Sequence, residues 1–302
     1  MLVNLYEKNR FMLESDLFTE VEKELYNAVS MDMDEVIAAK AIQRMCDYMY
    51  RYYGKKVIVL LDEYDTPMQE SYVSGFWEEM LAFIRSMFNS TFKTNPYLEC
   101  SIMTGITRVS KESIFSDLNN LKVVTTTSDE YATSFGFTED EVFRALEECG
   151  YENMRENVKA WYDGFIFGKY TDIYNPWSIL HFLDTGKLGT HWANTSSNSL
   201  VGKLIREGDR NIKTTFEHLL KGESIHSTID EQIVYNQLDQ NPNAIWSLLL
   251  ASGYLKVLNV DFAQEEWELL EYELTLTNRE VRLMFTSMVN NWFAEAGTCY
   301  ND

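Results

Sequence analysis

The segment VIVLLDEYD at residues 57–65 constrains the fold more than any other stretch of the chain. The turn signal Gly54-Lys55-Lys56 precedes five consecutive apolar residues, and acidic residues follow them. A short run rich in β-branched residues between such boundaries predicts a strand, and its lack of alternation predicts that both faces are buried. This pattern is typical of the parallel sheet of an α/β protein.

A second strand is predicted after one intervening helix. Apolar residues recur at helical spacing over residues 77–92, and the run LECSIMTGI at 98–106 again has the character of a strand. Strand, helix and strand in this order predict a βαβ unit with parallel strands and a right-handed crossover. Residues 122–126 are predicted to add a third strand, and residues 32–53 to form the helix that precedes the first.

Acidic residues stand where the first predicted strand ends. In open parallel sheets, ligands bind beyond the carboxyl ends of the strands. A strand that ends in Asp-Glu is typical of nucleotide hydrolysis, and we expect Asp62 to hold Mg²⁺ through water and Glu63 to activate the attacking water. Asp65, at the same strand end, is a further cofactor-binding candidate. The alternative is that these acids end a buried strand and cap the next helix.

The end of the second strand supplies two more candidates. Thr104 is expected to hydrogen-bond the γ-phosphate or the attacking water. Arg108 is expected to stabilise the negative charge that develops on a transferred phosphoryl group. The alternatives are a hydroxyl that satisfies nearby backbone groups and an arginine in a surface ion pair.

The sequence lacks the loop that cradles phosphates in such enzymes. The motif G-x-x-x-x-G-K-[ST] supplies backbone N–H groups and a lysine to the phosphates. Four Gly-Lys pairs occur, and none fits the motif: Gly54-Lys55, Gly168-Lys169, Gly186-Lys187 and Gly202-Lys203. We therefore predict a P-loop-NTPase-like α/β sheet that is incomplete at its N-terminus.

Composition excludes several classes of protein. The 302 residues carry 47 acidic against 26 basic side chains, a formal net charge of −21, which disfavours direct nucleic-acid binding. The four cysteines are far apart and form no C-x-x-C pair, so neither structural zinc nor a disulfide framework is expected. No apolar run reaches the length of a membrane span, and the N-terminus lacks the pattern of a signal peptide. A cytoplasmic protein with no membrane partner is predicted.

The chain resembles a bacterial family of predicted AAA-ATPase-like proteins that carry a C-terminal nuclease-type domain of the PD-(D/E)XK class. The resemblance covers nearly the whole chain in ordered blocks. These blocks are YGKKVIVLLDEYDTPM (53–68), SIMTGITRVSKESIFSDLNNL (101–121), FGFTEDEV (135–142), WYDGF (161–165), YNPWSIL (174–180), WANTSSNSL (192–200) and LLLASGYL (248–255).

The resemblance implies an AAA-type core at residues 1–130 that lacks its Walker A segment, with Asp62 and Glu63 in its Walker B position. It also implies Mg²⁺ and ATP as cofactors of a longer protein, with a fused or associated nuclease-type domain as partner. The chain by itself is then expected to bind no cofactor tightly and to hydrolyse ATP poorly or not at all. The alternative is a non-catalytic module, on a degenerate ATPase fold, that binds protein or nucleic acid.

Two further regions are predicted beyond the core. Residues 131–200 are expected to form a mostly helical, lid-like region, and residues 201–302 a winged-helix-like or other small α+β region that leads toward the nuclease-type domain. In the block WYDGF, Asp163 is interpreted as part of a structural turn, with a contact to nucleotide or Mg²⁺ as the alternative. If the first strand of the sheet is absent, an apolar edge at 57–61 is predicted to pair with another copy of the chain or to be covered by a rearrangement.

Overall fold

The computed structural model describes residues 1–106, 118, 121–194, 199–230, 238, 241, 243–261 and 270–298. It divides into two compact units, the first over Met1–Lys122 and the second beginning at Val123. The two units are described separately below.

The first unit opens with helices and continues into a βαβ arrangement. Its α-helices are α1 (Leu2–Lys8), α2 (Glu20–Asn27), α3 (Glu35–Tyr53), α4 (Thr66–Ser74) and α5 (Trp77–Phe88). A capping box between Thr19 and Glu22 begins α2, and Gly54 ends α3 in the left-handed conformation at φ +66°. Tyrosine and methionine side chains, among them Tyr6, Met12 and Tyr48, form an aromatic core between these helices.

The described part of this unit contains a parallel sheet of two strands. Strand β1 (Val57–Leu61) pairs with β2 (Leu98–Met103), and Leu61 lies opposite Met103 at the carboxyl ends. The predicted parallel pairing is therefore confirmed. Helices α4 and α5 lie between the two strands in the chain, so they form the crossover of the βαβ unit.

The prediction that β1 is buried on both faces was wrong. Its side chains alternate between half-buried and exposed, and Ile58 and Leu60 are 57% and 72% exposed. On β2, Ile102 is 57% exposed. Within the described part of the first unit, helix α3 contacts β1, and the side chains that alternate with the half-buried ones are exposed. An unbroken apolar run cannot reveal this, because it is equally compatible with one covered face or two.

The predicted third strand at residues 122–126 is also absent, since residues 121–128 form coil and a turn. The amide of Ser128 donates to the Thr125 carbonyl at 3.0 Å, and the Thr125 amide donates to the Ser128 hydroxyl at 3.0 Å. These local hydrogen bonds offer the backbone an alternative to a strand ladder.

The second unit combines helices with two small antiparallel sheets. Its helices are α6 (Glu139–Glu148), α7 (Arg155–Tyr162), α8 (Pro176–Thr185), α9 (Ser199–Glu207), α10 (Arg210–Lys221), α11 (Ala244–Ala251) and α12 (Arg279–Thr298). Its strands are β3 (Phe137–Thr138), β4 (Phe165–Phe167), β5 (Tyr170–Tyr174), β6 (Ile225–Thr228), β7 (Leu255–Asp261) and β8 (Glu271–Leu276). The strand orders are β3-β5-β4 and β6-β8-β7. The sheet β3-β5-β4 was not predicted, since β3 and β4 have only two and three residues.

Local signals fix several element boundaries in this unit. Thr138 begins α6 in a capping box with Glu141, and Asn175 caps α8 by accepting a hydrogen bond from the Ser178 amide at 3.2 Å. Apolar side chains of α6, α7 and α8 then pack into a core that includes Leu146, Tyr162 and Phe182.

A buried carboxylate connects distant parts of the second unit. Glu280, in the first turn of α12, is 1% exposed. It accepts hydrogen bonds from the Ser178 hydroxyl at 2.8 Å and from the His191 amide at 2.6 Å. Because all of these groups are buried or partly buried, each would cost free energy if left unpaired. Glu280 thereby holds α8 and the loop before residue 192 against α12.

In the part of the chain that the structure describes, no helix has both the length and the apolar character that crossing a membrane requires.

Candidate functional site

The carboxyl ends of β1 and β2 bring together three of the predicted site residues. Asp62 and Glu63 follow β1 directly, and Thr104 follows β2. The Thr104 amide donates to the Leu61 carbonyl at 3.0 Å, so strand pairing extends by one residue and places Thr104 beside Asp62. The sheet geometry therefore produces the juxtaposition that the sequence predicted.

The Thr104 hydroxyl connects the two acidic residues. It donates to Asp62 Oδ1 and accepts a hydrogen bond from the Glu63 amide at 3.2 Å. The Thr104 carbonyl also accepts from the Tyr64 amide at 2.9 Å. One threonine thus fixes both the Asp62 carboxylate and the turn that carries Glu63.

The backbone at Glu63 is strained. Its φ of +50° lies in the left-handed region, which non-glycine residues other than Asn and Asp rarely adopt. Such a conformation costs on the order of 1 kcal/mol and persists only where the surroundings impose it. Here the contacts to Thr104 hold it, and the Glu63 carboxylate also lies 3.5 Å from the Thr66 hydroxyl. Strained residues of this kind concentrate at functional sites.

Asp65 differs from its two neighbours because it is buried, with 4% of its surface exposed. It stands at the N-cap position of α4, where its carbonyl accepts the Gln69 amide at 2.9 Å. A Cβ atom added to Gly105 would come within 2.6 Å of Asp65 Oδ1. Asp65 therefore packs behind the strand end rather than on its open side. Its predicted role in cofactor binding stays a prediction.

The predicted residue Arg108 lies outside the described residues. Within the described part of the chain, neither Asp62 nor Glu63 makes an ion pair with a lysine or arginine. Both side chains are exposed. Oxygen atoms of exposed carboxylates and a nearby hydroxyl are the ligand types that Mg²⁺ and its bound waters prefer.

A second group of acidic residues, in the second unit, was not predicted from the sequence. Carboxylate oxygens of Glu139, Asp163 and Asp172 lie within 4.8 Å of one another. The Lys159 ammonium stands among them, in contact with Glu139, 2.7 Å from Asp172 and 3.4 Å from Asp163. The Tyr174 hydroxyl adds a hydrogen bond to Glu139 at 3.1 Å. We call these four charged residues the lysine–carboxylate cluster.

The pKa shifts in the cluster reflect this arrangement. Burial lowers the pKa of Lys159, but hydrogen bonds to Asp172 and Glu139 more than offset it, so the net pKa is raised above its usual value. The hydrogen bond from Lys159 lowers the pKa of Asp172. Burial raises the pKa of Asp163, and the nearby Lys159 charge only partly offsets it. The lysine occupies the space among the carboxylates and neutralises part of their charge, so the cluster has the properties of an internal ion-pair network.

The other residues of WYDGF pack rather than line an open site. Tyr162 is fully buried and exchanges hydrogen bonds with Gly189, and Phe165 contacts the Trp192 ring with centroids 5.6 Å apart. A Cβ atom on Gly164 would come within 2.2 Å of the Thr277 carbonyl oxygen. These contacts favour the structural interpretation of the motif over a contact to nucleotide. The spacing of Lys159 and Asp163, four residues apart near the end of α7, was the available sequence signal for the cluster.

Comparison with known proteins supports the resemblance for the N-terminal part of the chain. A family model described as "Predicted AAA-ATPase" matches residues 4–115, which include β1, β2, Asp62, Glu63 and Thr104. The chain is also 25% identical, over 233 residues, to an "Uncharacterized protein in vnfD 5'region" of Azotobacter chroococcum mcd 1. This match spans 76% of the present chain and 42% of that protein, so the chain covers less than half of the relative's length. No solved structure matches the chain. The first unit is therefore similar to predicted AAA-ATPases, and no fused nuclease domain is shown.

Proposed function

We propose that the first unit contributes the Mg²⁺-binding and water-activating half of an ATP hydrolysis site in an ATP-dependent switch protein. The observation that carries this proposal is the Thr104 hydroxyl, which joins the Asp62 carboxylate to the Glu63 amide at the carboxyl ends of two parallel strands. The match of residues 4–115 to predicted AAA-ATPases supports the same assignment.

Each residue of this half-site has a separate task in the proposal. Asp62 would hold Mg²⁺ through water, Glu63 would accept a proton from the attacking water, and Thr104 would position both residues and reach the γ-phosphate or that water. Bound Mg²⁺ would neutralise charge on the phosphates. The strained turn at Glu63 gives its carboxylate a direction that a continuing strand would not allow.

The phosphate-binding loop would come from outside these 302 residues, since none of their Gly-Lys pairs fits the motif. We therefore propose that the isolated chain binds Mg²⁺ weakly, holds ATP loosely and does not turn it over. We propose that the ATP-dependent switch controls a nuclease-type domain, either fused or associated. The fold we propose for the first unit is that of P-loop NTPases.

The divalent half-site can be tested in the chain as it stands by titration with Mn²⁺, a paramagnetic substitute for Mg²⁺. We expect weak Mn²⁺ binding that Asp62→Asn weakens about tenfold, because one charged ligand is lost. Glu70→Gln, an exposed residue of α4, is the matched control and should leave binding unchanged. Mn²⁺ binding that persists unaltered in both Asp62→Asn and Glu63→Gln would refute the site.

Hydrolysis itself is tested by two measurements of Mg²⁺-dependent ATP turnover. The purified chain should show none, and turnover that Glu63→Gln abolishes would contradict the predicted inactivity. In a longer polypeptide that supplies the phosphate loop, Glu63→Gln should reduce turnover by about a hundredfold or more, since a general base contributes that much. A smaller loss would remove Glu63 from the base role.

A second candidate function rests on the sheet β6-β8-β7. Helix α10 precedes β6, α11 lies between β6 and β7, and the last strand, β8, lies between the other two. We propose that this region is winged-helix-like and serves as an interaction module, with a protein rather than a nucleic acid as partner because of the net charge of −21. Failure of the longer polypeptide to bind Mg²⁺-ATP would leave this module as the main function.

A further inference from the structure

The uncovered face of the β1–β2 sheet has an ordered sequence of side chains. Ile58 and Leu60 are the exposed positions of β1, and the residues that flank the strand in the same alternation, Lys56 before it and Asp62 after it, are exposed as well. The contact between Thr104 and Asp62 places the Asp62 carboxylate on this same face, because Leu60 lies opposite Ile102 and Thr104 follows two residues later. The strip therefore runs from a positive charge, over two large apolar side chains, to a negative charge.

The apolar part of this face is too exposed to be incidental. Ile58, Leu60 and Ile102 are 57%, 72% and 57% exposed, and Cys100, which lies opposite Ile58, is exposed as well. Parallel sheets are normally covered on both faces, and adjoining exposed apolar side chains mark an interaction surface. Lys56 takes part in no ion pair among the described residues, so its charge is available to a partner.

We propose that this face docks against the same face of a second copy of the chain, with the two β1 strands antiparallel. The strip is self-complementary in that orientation. A twofold axis opposite Val59 would set Lys56 of each copy against Asp62 of the other, and Ile58 of each copy against Leu60 of the other. On β2 the same axis would set Cys100 against Ile102. An isologous contact of this kind is closed, so it forms a dimer and does not extend into a fibre.

The choice of occupant follows from charge. The chain carries a net charge of −21, which opposes association of two copies. The local pairing of Lys56 with Asp62 at each end of the apolar strip is what favours a second copy and fixes its orientation and register. The contact also engages Asp62, so the dimer and a bound divalent cation would compete for the same carboxylate. The docking face itself does not depend on the proposed function.

Sedimentation analysis over a range of concentrations tests the proposal by comparing the native chain with variants in which the charge at position 56 or 62 is reversed. Lys56→Asp and Asp62→Lys should each weaken dimerisation roughly tenfold, because each turns two attractive contacts per dimer into two repulsive ones. The double variant K56D/D62K should dimerise like the native chain. Mixing the two single variants should produce a heterodimer, because opposite charges again face each other.

Leu60→Asp should weaken dimerisation by about a hundredfold, since two large apolar side chains per dimer lose their burial. Val21→Asp, at a 64% exposed position on α2, is the control and should have no effect. A chain that stays monomeric at all concentrations would overturn the proposal. So would a dimer that tolerates Leu60→Asp, or single charge variants that fail to recover on mixing. Mn²⁺ titration of the chain at concentrations where it is monomeric reports on the hydrolysis site alone, so failure here is distinguishable from failure of that site.

Discussion

Two groups of acidic residues in this protein differ in their surroundings: one is exposed to solvent, and the other surrounds a lysine. The strand end of the first unit carries Asp62 and Glu63, which are exposed, and a backbone strained at Glu63. The lysine–carboxylate cluster of the second unit collects three carboxylates around the Lys159 ammonium. In the first group, hydrogen bonds with Thr104 hold the acids in place while their carboxylates face solvent. In the second group, the carboxylates are paired with the Lys159 ammonium. Carboxylates that carry their own counterion stabilise a fold, whereas those held open by strain are candidates to bind a cation from outside.

Removing the internal counterion should produce the largest effect on stability. Lys159→Met leaves three carboxylates close together without their cation, and we expect the free energy of unfolding to fall by about 1–2 kcal/mol, a value reduced because the lysine is partly exposed. Lys169→Met is the matched control, since its ion pair with Asp129 is at the surface and solvent screens it, and it should cost clearly less than Lys159→Met. Urea unfolding of both variants makes the comparison. Equal losses would show that the cluster is not a structural network.

Relieving strain at the other group should have a smaller effect of opposite sign. Glu63→Asn places at φ +50° a residue that tolerates this conformation, and we expect a gain in unfolding free energy of about 0.5–1 kcal/mol. Glu70→Asn, within helix α4, should instead lower the free energy of unfolding by about 0.3 kcal/mol, because asparagine has the lower helix propensity. A destabilised Glu63→Asn variant would mean that the glutamate side chain contributes more to the fold than its backbone conformation costs.

The smallest expected effect concerns pH. Burial raises the pKa of Asp163 above its ordinary value of 3.8, so its ionised form costs stability, and this cost disappears as the pH falls through the raised pKa. The lowered pKa of Asp172 has the opposite consequence, because its contribution is present above 3.8 and is lost as the pH falls through the lowered pKa. Asp163→Asn should remove only the first of these trends.

Unfolding free energies of the native chain and of Asp163→Asn, measured from neutral pH down to the ordinary carboxyl range, test this assignment. The native chain should gain stability relative to the variant as the pH falls through the raised pKa of Asp163. Parallel profiles would show that Asp163 does not titrate as its burial implies.

The two groups also differ in how far the sequence predicted them. The parallel pairing of β1 with β2 and the meeting of Asp62, Glu63 and Thr104 follow from a βαβ pattern, since parallel strands end at one edge. The lysine–carboxylate cluster joins residues on α6, α7 and β5, and no local pattern predicts contacts among separate elements. For the same reason the sequence indicated for Asp163 a structural turn, or alternatively a contact to nucleotide or Mg²⁺, and not a place in this cluster.

The uncovered sheet face shows a second limit of sequence reasoning. VIVLL is apolar at every position, so it predicts a strand but carries no information on which face is covered. The exposure of Ile58 and Leu60 follows from where the helices lie. The strand order β6-β8-β7 was likewise beyond local patterns, since it joins strands that are separated in the chain.

The hydrogen bonds of Glu280 have a consequence for folding during synthesis on the ribosome. The Ser178 hydroxyl and the His191 amide bind a carboxylate that lies 102 and 89 residues further along the chain, so both groups are synthesised well before their partner. The pairing of β1 with β2, in contrast, needs no residue beyond Met103. Synthesis proceeds from the N-terminus, so the first unit acquires its sheet while α8 still lacks its buried partner. Until Glu280 emerges, α8 and the loop before residue 192 lack the carboxylate that joins them to α12.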